Sequence, residues 1–152
     1  MTFSHSQGTH GARIPGWFFR TVNRLVAGRI KRSSGTFMGM DTLVLTTIGR
    51  KTAEARSAPV AWFDDGDGRW LIVASKGGAA TNPAWYLNLA AHPDQVTIER
   101  AGTTIPVTAT ELHGEEREAA WSRIKAEAKQ FAGYESKTDR VIPVIRLTAR
   151  TD

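Results

Sequence analysis

The sequence contains no cysteine, and its four histidines are scattered without the spacing of metal ligands. Without cysteine, a disulfide framework, a catalytic thiolate and a cysteine-based metal site are all excluded. The histidine pattern likewise predicts no metal site. No apolar run approaches the roughly 20 residues of a membrane span, and no signal-peptide core follows Met1. The 152 residues therefore predict one domain that is made and kept in the cytoplasm.

Acidic residues are scarce in the first third of the chain. Residues 1–56 contain nine Lys and Arg against two Asp and Glu, a balance of +7, whereas the remaining residues balance at −2. A basic front end attracts anions, which include a phosphorylated cofactor, nucleic acid and an anionic membrane surface.

Three organisational units follow from the residue pattern. Residues 1–14 are rich in Gly, Ser and His without an apolar period, which predicts a flexible tail. Apolar residues recur at helical spacing among five cations from Pro15 to Arg32, which predicts an amphipathic basic helix over 15–34. That helix could dock on the rest of the domain, lie on a membrane surface or, least favoured, bind nucleic acid. Residues 35–150 form the third unit.

The pattern of this third unit is typical of short strands with inserted helices. Alternating apolar residues predict strands over 42–48, 56–63, 69–75, 95–100, 103–111 and 141–147. Helices are predicted over Ala84–Ala91, with Asn82 as its N-cap, and over Glu115–Phe131. Pro59 places its strand at a sheet edge or a bulge. Hairpins with few helices favour a mainly β, α+β fold with an antiparallel sheet or small barrel.

Two loops carry the residues most suited to chemistry. Gly49–Thr52 and the nearby Arg56 follow one predicted strand, and Ala74–Gly78 follows another. Fixed cations and exposed amides stabilise oxyanions, and a glycine pair lets a ligand approach the main chain. The first glycine of a Walker A loop is absent, so a nucleoside-triphosphate site is not expected. Each loop alone could be an ordinary surface loop, but together they predict a ligand with several negative charges.

Other candidates are less specific. Trp85, Asn88 and Leu89 share one helix face, where a core position is favoured for the apolar pair. Asn88 must find a partner in the backbone or in a ligand. Tyr134 could stand over a pocket as a proton donor or a stacking surface. Equally, Asp139-Arg140 could form a local surface pair.

These motifs, in one uninterrupted order, resemble the deazaflavin-dependent nitroreductase and quinone reductase family, actinobacterial enzymes that use coenzyme F420. The matching segments are 45–52, Arg56, Pro59, 74–78, 82–89, 92–93 and 138–144. The resemblance implies a split β-barrel of the FMN-binding type, with an N-terminal helix and two inserted helices. It also implies coenzyme F420 as the cofactor and hydride transfer from F420H2 to a small electron-poor acceptor. Such acceptors are activated alkenes or enones, quinones and nitro compounds.

The resemblance further implies the site residues. Those expected to bind the cofactor are Thr47, Arg50, Lys51, Thr52, Arg56, Pro59, Ala74, Ser75, Lys76, Gly77, Gly78, Trp85 and Asn88. Ser75 and Tyr134 are the candidate proton donors. Family members that reduce nitroimidazoles have several tyrosines around the pocket, of which only Tyr134 remains here, and Ala61 replaces a hydroxyl-bearing aromatic residue. An alkene or a quinone is therefore the favoured acceptor.

Two alternative functions stay open at this point. One is an FMN-dependent oxidase or reductase of the same barrel superfamily, although three cations exceed what a single phosphate needs. The other is a basic protein without turnover that binds a membrane or nucleic acid. On the favoured interpretation nucleic acid is not a partner, and Pro15–Arg32 could contact the inner face of a membrane.

Overall fold

The computed structural model describes residues 3–12, 36–37 and 40–150, and the expected helix over 15–34 lies outside them. Its strands are β1 (Thr36–Phe37), β2 (Met40–Ile48), β3 (Ala55–Ala61), β4 (Phe63–Asp64), β5 (Arg69–Val73), β6 (Val96–Arg100), β7 (Thr103–Glu111) and β8 (Val144–Ala149). Its α-helices are α1 (Ala84–Ala91), α2 (Gly114–Glu127) and α3 (Gln130–Ser136), and Lys76–Gly78 forms a 3-10 turn. Across the described ranges, no helix has both the length and the apolar character to cross a bilayer.

The strands form one antiparallel sheet that rolls up into a split barrel. Its order is β1-β2-β6-β7-β8-β5-β4, and β3 pairs with β2 on the side away from that path. β3 then lies close to β5, so the two ends of the rolled sheet approach each other. The predicted mainly β architecture is confirmed. The edge position of Pro59 is also confirmed, since Pro59 lies in β3, opposite Val44 of β2, and β3 pairs with no other strand among the described residues.

The strand directions bring the two chemistry-bearing loops to one end of the barrel. Every neighbouring pair from β2 through β6, β7 and β8 to β5 is antiparallel. β2 and β5 therefore run in the same direction, because four reversals separate them. β3 runs against β2, so it starts at the end where β2 and β5 finish. The turn Gly49–Glu54, Arg56 and the loop after Val73 accordingly share this end.

The core has two parts, separated by β5. Ile72 and Ala74 point into the barrel interior, whereas Leu71 and Val73 point to a second cluster under α2 and α3. This alternation follows from the two-residue side-chain period of a strand. β5 is therefore buried on both faces over Leu71–Val73, so the loop that follows it begins in the interior of the domain.

The helices differ from the prediction in two respects. α1 has the expected bounds, but its N-cap is Pro83, and no side-chain bond caps it. Asn82 instead donates to the Ser6 carbonyl at 2.7 Å, and its side-chain oxygen accepts a hydrogen bond from Arg140.

The long helix predicted over 115–131 is two helices, with an extended residue at Ala128 between them. Trp121 and Lys125 on α2 both donate to Glu135 on α3. In one straight helix, Trp121 and Glu135 would lie about 21 Å apart along the axis. The break is therefore what lets α3 fold back against α2.

Residues 3–12, here called the strap, belong to the segment expected to be a flexible tail, yet they lie along the domain. The Ser4 amide donates to the Glu111 carboxylate at 3.1 Å. Thr9 donates to Asp139 through its amide at 2.7 Å and its hydroxyl at 2.6 Å. Composition could not predict these contacts, because their partners lie more than 100 residues away in the chain.

The last strand begins three residues later than expected. The prediction was 141–147, and β8 runs over Val144–Ala149. Pro143 lies just before it and uses its carbonyl to accept the Ala74 amide at 3.0 Å.

Candidate functional site

The turn Gly49–Glu54, here called the basic turn, closes the hairpin between β2 and β3. The Gly49 amide donates to the Glu54 carbonyl at 2.7 Å, which fixes the base of the turn. The Thr52 hydroxyl accepts the Glu54 amide at 3.3 Å, so it bonds within the turn. Arg50 and Lys51 are exposed at the tip. The turn therefore presents two cations from a backbone that is internally bonded.

Asn88 on α1 braces this turn from below. Its side-chain oxygen accepts the Arg50 amide at 3.1 Å and a guanidinium N–H at 3.4 Å. Its amide nitrogen donates to the Thr47 hydroxyl at 3.4 Å. Both Asn88 and Thr47 are buried. The partner that Asn88 required is thus the backbone of the turn. Asn88 and Thr47, both predicted to contact the cofactor, instead contact Arg50 and each other within the protein.

Arg56 faces solvent at the start of β3. Its side chain is 55% exposed and lies 3.2 Å from Glu54, an exposed ion pair of little energetic weight. Its strand position opposite Thr47 places it beside the basic turn. An anionic ligand could therefore displace Glu54 from the Arg56 guanidinium at a small cost in free energy.

The loop after β5 has the backbone of an anion-binding nest. Ser75 lies in the right-handed helical region, whereas Lys76 and Gly77 follow with φ of +47° and +63°. Successive right- and left-handed residues turn their amides toward one concave point, which binds anions. The positive φ at Lys76 is uncommon for a residue other than glycine, and such strain clusters at functional sites. The Ser75–Gly77 amides are here called the amide nest.

Arg140 holds this loop from inside, a role that sequence reasoning missed. Only 3% of the residue is exposed, and its guanidinium donates to the carbonyls of Ala74, Ser75 and Ala79 at 2.8–2.9 Å. The interpretation of Asp139-Arg140 as a local surface pair is wrong, because Asp139 bonds Thr9 of the strap whereas Arg140 is buried against the loop after β5. A basic residue directly before the apolar segment 141–144 was the available signal.

The remaining predicted residues surround the loop at different depths. Ala74 is fully buried, and Trp85 is half-buried against the barrel core. Tyr134 is half-buried on α3, with its ring 5.4 Å from that of Phe131. Its backbone contacts the loop, because a Cβ on Gly78 would lie 2.6 Å from the Tyr134 carbonyl oxygen. Both candidate proton donors, Ser75 and Tyr134, are therefore beside the same loop.

Comparison with known proteins identifies the family of the chain. The family model of the F420H(2)-dependent quinone reductases matches residues 17–149. The chain belongs to this family. An F420H(2)-dependent quinone reductase of Mycobacterium tuberculosis strain H37Rv is 39% identical over 112 residues, which cover 72% of this chain and 74% of that protein.

Solved structures agree on the fold. An F420-H2 dependent reductase (FDR-A) superposes with a TM-score of 0.63 at 37% identity, over 70% of this chain and 92% of that one. A heme storage protein, HutZ from Vibrio cholerae, superposes with a TM-score of 0.56 at 14% identity, over 82% and 88% of the two chains, and shares the fold alone. The family and the split-barrel fold expected from the sequence are confirmed.

Membership makes this protein an F420H2-dependent oxidoreductase, and the residues present fit that cofactor. F420 carries a phosphate and an oligoglutamate tail, so it needs several cationic and amide donors. The basic turn, Lys76 and the amide nest supply donors of both kinds at one end of the barrel.

Proposed function

We propose that the protein reduces a quinone with F420H2 and that the two loops hold the cofactor's anionic parts. The observation that carries this proposal is that the basic turn and the amide nest lie at the same end of the barrel. When bound, the reduced deazaflavin supplies a hydride. The protein itself binds, orients the acceptor and manages the proton.

The two loops are suited to different anionic parts of the cofactor. Arg50, Lys51 and Arg56 are exposed side chains on a hairpin, which suits a flexible, multiply charged tail. The amide nest is half-buried and its backbone is held in one conformation, which suits a single phosphate held in one place. Trp85, half-buried on α1, packs against the barrel core and offers an apolar surface.

A quinone that accepts a hydride becomes a hydroquinone anion, and one further proton completes the hydroquinone. The two C=O π bonds of the quinone become C–O single bonds of an aromatic ring, and no σ bond breaks. F420H2 releases one proton together with its hydride when it becomes F420, so the protein has to move a proton rather than create one. Ser75 lies in the loop that follows β5, and the Tyr134 backbone contacts the same loop. We assign them the role of donating or relaying this proton.

A quinone is proposed over an alkene because the relatives with 39% identity are named quinone reductases. Initial rates of F420H2 oxidation under anaerobic conditions would test this with menadione, cyclohexenone and a nitroimidazole. Menadione should give the highest kcat/KM. A higher value for cyclohexenone would replace the quinone with an alkene. Turnover with reduced FMN (FMNH2) in place of F420H2 would favour the FMN-dependent alternative.

A charge substitution tests where the tail binds. Lys51→Ala should weaken F420 binding by about 1–3 kcal/mol, the usual worth of a charge-assisted contact. Lys129→Ala is the matched control, since Lys129 is an exposed lysine at the start of α3. Isothermal titration of both variants measures the difference. Equal affinities in the two variants would contradict the placement of the tail on the basic turn.

Membrane contact through Pro15–Arg32 stays a prediction, as does a cytoplasmic location. The five cations and the aromatic residues of that segment favour binding to anionic lipid. Co-sedimentation with phosphatidylglycerol vesicles, and with phosphatidylcholine vesicles as the control, would test it.

A further inference from the structure

The loop after β5, residues 74–80, uses most of its carbonyl groups as hydrogen-bond acceptors. Six of the seven carbonyls from Ala74 to Ala80 accept a hydrogen bond. Three of them face the Arg140 guanidinium. Two more face the strap, whose Ala12 and Gly8 amides donate to the Gly78 and Ala80 carbonyls at 3.1 and 2.8 Å. The loop is thus held from the interior by one side chain and from the outside by the strap.

This bonding decides where the amides of the loop point. All described peptide bonds are trans, and in a trans peptide group the C=O and the N–H point in opposite directions. The carbonyls of Ala74 and Ser75 point at Arg140, so the amides of Ser75 and Lys76, in the same peptide groups, point away from it. The guanidinium therefore sets the direction of two amides of the amide nest.

The charge of Arg140 is not neutralised by a carboxylate within the described residues. Its partners are three backbone carbonyls and the side-chain oxygen of Asn82, all of them neutral. Burial lowers its pKa to about 10, which leaves it protonated at neutral pH. The adjacent Asp139 bonds Thr9 of the strap instead. A fixed positive charge therefore lies directly behind the amides.

We propose that Arg140 is the positioning residue of the amide nest and that the strap, fastened by Asp139, holds the outer side of the same loop. Neither Arg140 nor the strap needs to touch the ligand. Arg140 acts by orienting the Ser75 and Lys76 amides toward an anion and by adding a buried positive charge behind them. This inference rests on the proposed function, since it assigns the phosphate of F420 to the nest.

The test compares two ligands that differ only in their anionic part: F420, and its deazaflavin riboside without phosphate or glutamates. Arg140→Lys keeps a cation but loses the planar set of donors that three carbonyls require. Its affinity for F420 should fall about ten- to a hundredfold, while its affinity for the riboside changes less than about twofold. A purely structural role would weaken both ligands equally, and that result, or no weakening of either, would overturn the proposal.

A second variant covers the case in which Arg140→Lys does not fold. Asp139→Ala removes only an exposed fastening point of the strap, and Asp94→Ala, an exposed aspartate in the turn after α1, is its control. Asp139→Ala should reproduce the selective loss of F420 affinity to a smaller degree, about three- to tenfold. Equal F420 affinities in the Asp139 and Asp94 variants would overturn the role of the strap.

Amide hydrogen exchange of the ligand-free protein gives a readout that does not involve the cofactor. Residues 74–80 should exchange faster in Arg140→Lys than in the wild type, whereas β6 and β7 should not change. Unchanged exchange in 74–80 would overturn the positioning role. A wild-type protein that binds neither ligand would instead refute the proposed function, so the two failures are distinguishable.

Discussion

Gly78→Ala probes the contact between the loop after β5 and α3, on which the position of Tyr134 depends. Gly78 has a φ of +86°, and a Cβ there would lie 2.6 Å from the Tyr134 carbonyl oxygen and 3.1 Å from Lys137 Cβ. Alanine at positive φ costs about 1–2 kcal/mol. Relieving the clash requires α3 to move, and overpacking of this kind costs about 1–3 kcal/mol. The free energy of unfolding should therefore fall by roughly 2–5 kcal/mol.

Two other glycines separate these contributions. Gly102 has a φ of +79°, but an added Cβ would meet nothing within 4 Å, so Gly102→Ala should cost only the backbone contribution, about 1–2 kcal/mol. Gly133 lies inside α3 with the same free space, so Gly133→Ala should stabilise the protein by up to about 1 kcal/mol.

Urea unfolding followed by tryptophan fluorescence would measure all three variants, since the chain has five tryptophans. A decrease of about 2–5 kcal/mol corresponds to a Tm lowered by roughly 4–20 °C for a domain of this size. If Gly78→Ala were no more destabilising than Gly102→Ala, α3 would not contact the loop as described. The placement of Tyr134 beside the amide nest would then be wrong.

Three further predictions follow from individual hydrogen bonds. Asn88→Ala should lower the free energy of unfolding by about 1–2 kcal/mol in urea titrations, because the basic turn loses its brace. Hydrogen bonds from Thr9 lower the pKa of Asp139 to about 2 from its ordinary 3.8. The strap is therefore fastened above about pH 4 and released as the pH falls through 2. The NMR chemical shift of the Thr9 amide, measured against pH, would follow this release. Glu135→Gln should separate α3 from α2 at a cost of about 1–2 kcal/mol in urea titrations, with the exposed Glu127→Gln as its control.

The sequence predicted correctly those elements that are specified by residues close together in the chain. α1 and β7 have the predicted bounds, because a proline-led apolar helix and a regular alternation each specify their own ends. The basic turn was recognisable for the same reason, since its cations and glycine are adjacent in sequence. The break at Ala128 was not, because the contacts that accompany it join Glu135 to residues on the preceding helix, 10 and 14 positions earlier.

The missed parts of the site have a common physical origin. Arg140 and Asp139 are neighbours of opposite charge, a pattern that on a surface indicates a local pair of little weight. Which way each side chain points depends on what the fold places nearby: three carbonyls of a loop more than 60 residues earlier on one side, and the strap on the other. Burying a guanidinium is tolerable only where several acceptors already converge. The loop that would bind the anion supplies those acceptors. The same hydrogen bonds therefore offset the cost of burying Arg140 and turn the loop amides outward.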